Sequence, residues 1–198
     1  MPFIALLGCD GSGKSAVISQ VTMNFRAAGS SVICGHWRPT AVSGKSADSL
    51  AAAAPHGKPP HGPVKSILKL GWLWFNWWLG WWKELRGASR CGLVLFDRFH
   101  GDLLIDPLRY RYGGAIWLAK LASQLMPQPD LILFLDAPPE VLLARKQEVS
   151  HEALERSRKR YLQFGKRHRQ FLLIDVNRPL EDVVEDVMSQ INAVRGAK

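Results

Sequence analysis

The sequence predicts an α/β fold built around a parallel sheet with helices on both faces. Five short apolar runs recur along the 198 residues, and each is nearly continuous rather than alternating. This pattern is typical of strands that are buried on both faces. The runs cover residues 3–7, 32–35, 93–96, 131–135 and 171–174. Helical patterns separate them, so strand–helix–strand units are the simplest arrangement.

Two helices follow from the spacing of apolar residues. After the first strand, Ile18, Val21, Phe25 and Ala28 recur at the three-or-four spacing of one helix face, and Gly29 suits a C-terminal stop. The last helix has a similar stripe and begins near a proline that fits a first turn. That stripe consists of Leu180, Val184, Val187, Ile191 and Val194, preceded by Pro179.

Size and charge narrow the class of protein. A chain of 198 residues is long enough for one full core, so we expect a single domain over 1–198. The formal net charge of +9 and the pI near 9.8 call for an anionic partner, either nucleic acid or a small phosphorylated substrate. Because no nucleic-acid-binding module is recognisable, the sequence favours the small substrate.

Cysteine usage and the start of the chain predict a cytoplasmic protein. Cys9, Cys34 and Cys91 form no C-x-x-C pair, and each lies at the edge of a predicted strand. We therefore expect reduced, half-buried thiols. The chain enters its first strand by Phe3 without a basic leader or a cleavage site, which argues against secretion.

Two segments outside the predicted strands stand out by composition. Residues 40–63 are rich in Ala, Gly, Ser, Pro and His, which predicts a mobile insertion on the substrate side of the sheet. Positive charge is concentrated between Arg145 and Arg169, which suits either a lid over phosphates, at about 145–160, or a solvated helix. Four metal-ligating residue types occur near the first segment, but their spacing matches no standard metal site. They are Cys34, His36, His56 and His61.

Residues 67–82 are apolar around nearly every face of a predicted helix and are rich in tryptophan. Lys69 and Asn76 interrupt this segment, and it is shorter than the about 20 apolar residues of a membrane span. Three interpretations remain open. The segment is a buried helix that walls an acceptor pocket, a dimer interface, or a surface that meets a membrane or a lipid-linked substrate.

Residues 8–15 fit the phosphate-binding pattern G-x-x-x-x-G-K-[ST], and they lie between a predicted strand and a predicted helix. Glycines let backbone N–H groups point at phosphate oxygens, Lys14 can reach the outer phosphates, and the Ser15 hydroxyl can bind Mg²⁺. The sequence therefore predicts that the chain binds a nucleoside triphosphate. The candidate nucleotide-binding residues are Gly8, Asp10, Gly11, Ser12, Gly13, Lys14, Ser15 and Ala16.

Acidic and basic side chains follow the predicted strands. Asp97 and Asp136 each end a strand, so a parallel sheet places both at the rim of the phosphate loop, where either can orient Mg²⁺ through water. Asp97 is favoured because Arg98 follows it, and one side chain can serve the metal while the other serves a phosphate. Arg38 can grip an acceptor phosphate with its forked guanidinium. The structural alternatives are an Asp97–Arg98 pair, Asp136 as a turn cap, and Arg38 as a surface arginine.

Together these residues resemble the thymidylate kinase family of nucleoside monophosphate kinases. The resemblance runs in order along nearly the whole chain. It implies a three-layer P-loop kinase fold with a five-stranded parallel sheet, ATP as donor, Mg²⁺ as cofactor and transfer of the γ-phosphoryl group to an acceptor. The residues that carry it are 8–15, Arg38-Pro39, Asp97-Arg98-Phe99, 129–140, Arg145 and Ile174-Asp175.

The resemblance also implies roles for single residues. Lys14 and Ser15 would serve ATP and Mg²⁺, and Asp10 would lie near the sugar of the acceptor. Asp97 would assist the metal, while Arg38 and Arg98 would hold the acceptor phosphate.

Members of the family place a charge-stabilising arginine either in the phosphate loop or in the lid. The loop of this chain has no arginine, so the lid must supply it. Arg145 is the first candidate and Arg156 the second. The other cationic residues available there are Lys146, Arg158 and Arg160.

Departures from the family pattern lie where the base of the acceptor would be read. The family has a serine and then an alanine-tyrosine-glutamine run, whereas this chain has Asp102 and residues 105–107, so the thymine-reading residues are missing. Residues 106–114 alternate arginines and tyrosines instead, and Arg109 and Tyr112 become candidate substrate contacts. The alternative is an ordered loop that packs its tyrosines on the core.

Three functions are consistent with these observations. The leading hypothesis is an ATP-dependent phosphotransferase with a dTMP-like nucleoside monophosphate as acceptor. The second keeps the fold and donor but uses a sugar, glycan or lipid-linked acceptor in bacterial envelope polysaccharide synthesis. The third is a non-catalytic ATP-binding regulatory module; the guanine-reading Asn-Lys-x-Asp motif of a GTPase switch is absent. The family resemblance also suggests a homodimer.

Overall fold

The computed structural model of the chain describes residues 2–39, 59–85, 92–147 and 149–196. The five strands are β1 (Phe3–Gly8), β2 (Ser31–His36), β3 (Gly92–Asp97), β4 (Leu131–Asp136) and β5 (Phe171–Asp175). The helices of these ranges are α1 (Lys14–Ala27), α2 (Pro63–Gly80), α3 (Asp102–Ile105), α4 (Ile116–Gln124), α5 (Pro139–Arg145), α6 (His151–Gly165) and α7 (Leu180–Gly196). A π-helical turn, Trp81–Leu85, continues α2. Most of the insertion predicted for 40–63, together with Cys91, lies outside the described residues.

The strands form one five-stranded sheet in the order β2-β3-β1-β4-β5. β1 pairs in parallel with β3 and β4, and β4 pairs in parallel with β5. Every residue of β1 and of β4 is buried, so helices cover both faces at the centre of the sheet. The predicted α/β fold with a five-stranded parallel sheet is confirmed.

The two edge strands differ from the prediction of runs buried on both faces. In β5, Leu172 and Leu173 are exposed, and in β2 the thiol residue Cys34 is exposed rather than half-buried. The apolar run therefore identifies a strand correctly, but it does not distinguish a central position from an edge. An edge strand has a neighbour on one side only, so its side chains stay more accessible.

α1 begins and ends at glycines that adopt left-handed backbone conformations. At its C-terminal end, Gly29 has φ of 77°, its N–H donates to Arg26 O, and the N–H of Ser30 donates to Phe25 O. These two hydrogen bonds form a Schellman motif, which confirms Gly29 as the stop. The buried stripe is Val17, Val21 and Phe25; the prediction of Ile18 and Ala28 on that stripe is wrong, since Ile18 is half-buried and Ala28 is exposed.

The chain divides into two compact units. The first, here called the sheet unit, comprises Met1–Cys34, Ala88–Asp97 and Pro129–Lys198. The second, here called the helical unit, comprises Gly35–Gly87 and Arg98–Gln128, and it contains α2, α3 and α4. The organisation of 1–198 as a single domain stays a prediction.

Within the helical unit, α2 is buried along one side only. Its buried residues include Leu70, Leu73 and Trp77, and the indole of Trp78 donates a hydrogen bond to the carbonyl of Leu125 at the end of α4. Apolar side chains on the remaining surface of α2 are 38% to 71% exposed. They are Val64, Ile67, Leu68, Trp72, Trp74 and Phe75. In the part of the chain that the structure describes, no helix is both long and apolar enough to cross a bilayer.

His100 is buried in the core of the helical unit. Its Nδ1 lies 2.9 Å from Ser123 Oγ and its Nε2 lies 3.0 Å from Pro127 O, while its ring packs edge-on against Trp77 and Phe99. Burial lowers the pKa of His100 to about 4, although the hydrogen bond to Pro127 opposes the shift. The imidazole is therefore neutral in the folded protein at physiological pH.

The burial of His100 predicts a loss of stability in mild acid. Because the unfolded chain binds the proton with a pKa near 6.5 and the folded chain only near 4, acidification between these values favours the unfolded state. We expect the free energy of unfolding to fall by about 2 kcal/mol between pH 7.5 and pH 5 through this residue alone. All eight tryptophans lie in the ranges of the helical unit, so tryptophan fluorescence during urea unfolding reports this loss. In His100→Gln the loss should shrink by that amount, and an unchanged pH dependence would contradict the assignment.

Candidate functional site

The phosphate loop follows β1, and its backbone adopts conformations that residues other than glycine rarely adopt. Gly11 has φ of 85° and Gly13 has φ of 77°, both in the left-handed region. An added Cβ at Gly8 would overlap with Ser12 Oγ, and one at Gly11 would overlap with the carbonyl of Leu142. The glycines of the motif are therefore required by backbone conformation and by close packing.

The start of α1 is open to an anion. Gly13 occupies the N-cap position and contributes no side-chain hydrogen bond to the helix start, and the first turn holds no acidic residue. The N–H groups of a first helical turn and the positive end of the helix dipole favour a phosphate at this position. Ser15 and Ala16 are exposed in the first turn, whereas Asp10 is half-buried in the loop.

Lys14 lies over the loop. Its ammonium donates to Gly8 O at 2.9 Å, to Cys9 O at 3.0 Å and to Ser12 Oγ at 3.3 Å. These hydrogen bonds are made to neutral oxygens, which are weaker acceptors than the charged oxygens of a phosphate. A bound triphosphate would therefore compete for the same ammonium group.

The carboxyl ends of the central strands bring two aspartates to the edge of the sheet that carries the loop. Asp97 ends β3 and lies opposite Leu6 of β1, while Gly8 lies opposite Leu135 of β4, one residue before Asp136. This register agrees with the predicted positions of Asp97 and Asp136 on the same rim. No cluster of three or more His, Cys, Asp or Glu residues that could hold a metal is present among the described residues, and His56 is not one of those residues.

Asp136 forms an ion pair that the sequence did not predict. Arg158 of α6 donates from Nε to Asp136 Oδ1 at 2.7 Å and from a terminal nitrogen to Oδ2 at 2.8 Å. The bidentate hydrogen bonds to Asp136 raise the pKa of Arg158 further above its ordinary value. The alternative of Asp136 as a turn cap is not what the structure shows, because the N-cap of α5 is Pro138 and has no side-chain hydrogen bond.

The thiol of Cys9 lies inside the loop and is protonated at neutral pH. Burial raises its pKa to about 11, although a hydrogen bond with Ser157 and the charge of Lys14 oppose the shift. A neutral thiol is a poor nucleophile, so Cys9 is a packing residue of the loop. The expected half-buried Cys9 is in fact buried.

The two lid arginines favoured by the sequence differ in their surroundings. Arg145 ends α5 and donates a hydrogen bond to Val176 O at 2.9 Å. Arg156 is exposed on α6. Arg158, which the sequence ranked below both, is fixed by two hydrogen bonds to Asp136.

A buried ion pair organises the candidate acceptor residues of the helical unit. Arg98 Nη1 lies 2.8 Å from Asp102 Oδ2, and the two side chains are 4% and 0% exposed. The hydroxyl of Tyr110 donates to the same oxygen at 2.5 Å, and the ring of Tyr110 stacks on Trp37 at 4.5 Å. Asp102 thus fixes the direction of Arg98 and links it to an aromatic pair.

Backbone strain is concentrated in this unit. Trp37, Arg98 and Arg111 are the non-glycine residues with positive φ in the described part of the chain, with values of 57°, 66° and 55°. Such conformations cost of order 1–3 kcal/mol each and cluster at binding sites. Arg38 follows Trp37 directly, and Pro39 packs so closely on Gly80 of α2 that an added Cβ there would overlap with it.

The two residues predicted from the 106–114 segment are placed differently. Tyr112 is 7% exposed, and its hydroxyl donates to Ala115 O at 3.0 Å. It therefore packs the loop, and burial raises its pKa. Arg109 is half-buried, and its N–H donates to the carboxylate of Asp106 at 3.2 Å. The interpretation of an ordered loop that packs its tyrosines fits Tyr112. Tyr110 and Arg111, which were not among the predicted substrate contacts, donate hydrogen bonds to Asp102 and to Pro59 O.

Comparison with known proteins is consistent with this geometry. A thymidylate kinase family model matches residues 91–187. The chain is 26% identical to a thymidylate kinase of Magnetococcus marinus over 96% of this chain and 94% of that protein. It is 30% identical to a thymidylate kinase of Legionella pneumophila and 25% identical to a probable thymidylate kinase of Saccharolobus solfataricus. Those two matches cover 50% and 57% of this chain, and 51% and 60% of the relatives.

These matches support a divergent member of the thymidylate kinase family. This membership supports a nucleotide-binding kinase of the P-loop class. The matched segment 91–187 includes Asp97, Arg98 and the region of α5 and α6. The phosphate loop lies before that segment, so its assignment depends on the motif and on the loop geometry described above.

The Arg98–Asp102 pair predicts a specific pattern of stability. Asp102→Asn keeps the size of the side chain but removes the carboxylate charge that faces the buried guanidinium of Arg98, so we expect the free energy of unfolding to fall by about 3 kcal/mol. Adding Arg98→Met to this variant removes the guanidinium charge and should recover part of the lost free energy of unfolding. Urea unfolding followed by tryptophan fluorescence measures both variants and the single Arg98→Met variant. If the losses of the two single variants simply add in the double variant, the pair is not the coupled unit described here.

Proposed function

We propose that this thymidylate kinase family member is an ATP-dependent phosphotransferase that moves the γ-phosphoryl group of ATP to a nucleoside monophosphate, with a dTMP-like acceptor as the first candidate. The observation that carries the proposal is the glycine loop between β1 and α1. Its left-handed glycines and a start of α1 without an N-cap side chain would receive the phosphates, and Lys14 and Ser15 follow at the positions that a P-loop requires.

On the donor side, backbone N–H groups of residues 11–16 would surround the β- and γ-phosphates, and Lys14 would exchange its loop carbonyls for phosphate oxygens. The Ser15 hydroxyl is exposed, and Asp97 lies at the same edge of the sheet. Both offer the oxygen ligands that Mg²⁺ prefers, and Mg²⁺ usually keeps several waters beside one or two protein ligands. These residues would hold the ion, which neutralises charge on the phosphates when bound.

On the acceptor side, Arg38 and Arg98 would hold the phosphate that is extended, and Asp10 would lie near the sugar. Asp102 serves as a positioning residue for Arg98, since it accepts a hydrogen bond from that guanidinium at 2.8 Å. Where the family has a serine this chain has Asp102, so the proposed acceptor site would contain an ion pair instead. Arg109 and Tyr112 stay candidate substrate contacts in this proposal, Tyr112 only after the loop that buries it has rearranged.

An arginine of the lid would stabilise the charge of the transferring group. Arg145 and Arg156 remain the two candidates. Arg156 is exposed and has no hydrogen bond or ion pair within the described residues, whereas Arg145 would have to leave the carbonyl of Val176. Arg158 would contribute by holding Asp136 in place.

A sugar, glycan or lipid-linked acceptor is the second candidate. The exposed tryptophans and phenylalanine of α2 favour it, because aromatic side chains of this kind are typical of surfaces that meet lipid. The same apolar side would also suit a homodimer, as the family resemblance suggested. A regulatory ATP-binding module without an acceptor is the third candidate. We further propose a cytoplasmic location and no nucleic-acid partner.

One assay separates these candidates. Purified protein is incubated with ATP, Mg²⁺ and one acceptor at a time, and ADP release is measured with Lys14→Ala as the blank. We expect turnover with dTMP or a related nucleoside monophosphate, and a loss of at least about 100-fold in kcat in Arg156→Ala if that arginine acts in the lid. The same loss in Arg145→Ala instead would assign the role to Arg145.

Activity only with glycan or lipid-linked fractions would replace the nucleotide acceptor by the second candidate. Slow hydrolysis that no acceptor accelerates would favour the regulatory module. Turnover in Lys14→Ala equal to that of the unmodified protein would contradict the proposed donor site.

A further inference from the structure

The described part of the helical unit carries an excess of positive charge. Its carboxylates with described side chains are Asp102 and Asp106, and both are buried and hydrogen-bonded within the unit. Against them stand Arg38, Lys65, Lys69, Lys83, Arg98, Arg109, Arg111 and Lys120. Lys69 interacts electrostatically with Lys65 and Arg111, and all three of these cations interact with His61.

Lys65 and Lys69 are unfavourably placed on α2. They are four residues apart, so they lie on the same side of the helix, and like charges at this spacing destabilise a helix. Lys65 also lies in the first turn, where the helix dipole disfavours a cation, and this turn contains no acidic residue. Neither ammonium group has a hydrogen bond or ion pair with another described residue.

Arg111 is fixed beside the start of α2 by hydrogen bonds and at the cost of backbone strain. Its φ is 55°, its Nε donates to Pro59 O at 3.0 Å, and its carbonyl accepts from the N–H of His61 at 2.9 Å. Ser66 Oγ accepts from the N–H of Gly113 at 2.9 Å, which ties the same loop to the first turns of α2. Within the described residues, the two terminal nitrogens of Arg111 have no partner.

Burial and the crowding of positive charge lower the pKa values of Lys69 and His61. Partial burial and the charges of Arg111, Lys65 and Arg38 lower the pKa of Lys69. Burial and the charges of Lys69, Arg111 and Lys65 lower the pKa of His61. Each added cation is therefore unfavourable for the others, and a bound anion would remove that penalty.

We propose that Lys65, Lys69 and Arg111 form a binding site for a phosphate-class anion in the helical unit, which also contains the candidate acceptor residue Arg38. The guanidinium of Arg111 supplies two terminal N–H groups for oxygen atoms, and the lysines supply charge. The anion is either a second phosphate of the acceptor or a free phosphate or pyrophosphate, and only the first source rests on the proposed function.

Binding of pyrophosphate, measured by isothermal titration calorimetry without ATP, tests the site independently of catalysis. We expect Lys69→Gln and Arg111→Gln to weaken pyrophosphate at least about tenfold, the effect of one charge-assisted hydrogen bond. Lys120→Gln on α4 removes the same charge from the same unit and should retain the affinity. Any pyrophosphate binding that disappears in Lys14→Ala belongs to the phosphate loop and is subtracted, and circular dichroism confirms that each variant is folded.

The site is disproved if the unmodified protein binds no pyrophosphate outside the loop. It is also disproved if Lys69→Gln and Arg111→Gln bind as the unmodified protein does, or if Lys120→Gln weakens binding equally. The source of the anion follows from turnover with the acceptor that the assay above identifies. If pyrophosphate competes with the acceptor, and Lys69→Gln raises the KM for the acceptor, the site binds a phosphate of the acceptor. If pyrophosphate does not compete and Lys69→Gln changes kcat, the site binds a free anion. Absence of turnover would contradict the proposed function and leave the binding result intact.

Discussion

The backbone of the loop between β1 and α1 is the constraint on which the rest of the sheet unit depends. The left-handed conformations of Gly11 and Gly13 turn the chain from a buried strand into a helix within a few residues. Leu142 and Ser12 then pack against the glycines so closely that no side chain could replace the hydrogens of Gly8 and Gly11. The result is a helix start that no N-cap side chain covers, with a lysine in its first turn, which are features that favour a bound phosphate.

The parallel sheet supplies what the loop alone does not. Because β3, β1 and β4 end at one edge, two carboxylates arrive beside the loop, and they have taken different roles. Asp136 is neutralised by a bidentate arginine from α6, whereas Asp97 is followed in the chain by the buried Arg98. In the helical unit, by contrast, the candidate site residues are held by a buried ion pair, an aromatic stack and strained backbone at Trp37, Arg98 and Arg111. Three of its cations, Lys65, Lys69 and Arg111, have no acidic partner among the described residues, which is the electrostatic basis of the proposed second anion site.

Sequence patterns predicted the fold and the phosphate loop because both depend on local order. Continuous apolar runs mark strands, and the motif fixes Gly8 to Ser15 on neighbouring positions. The same patterns did not separate edge strands from central ones, since that difference depends on which strands become neighbours. The Asp136–Arg158 pair spans 22 residues and two helices, so no spacing rule could reveal it. By contrast, Lys65 and Lys69 lie four residues apart within α2, so that pair was readable from helical spacing. Arg98 lies before α3 and has a φ of 66°, so helical spacing could not reveal its pairing with Asp102.

Two glycines that flank α1 allow the most direct test of the central claim, that the loop backbone captures the triphosphate. Gly13 and Gly29 both have φ of 77°, and an added Cβ would meet no atom within 4 Å at either position. Gly13→Ala and Gly29→Ala should therefore lose similar stability, of order 1 kcal/mol, at opposite ends of one helix. Isothermal titration calorimetry with Mg²⁺-ATP should show at least about tenfold weaker binding for Gly13→Ala and unchanged binding for Gly29→Ala. Equal ATP affinity in both variants and in the unmodified protein would contradict the account.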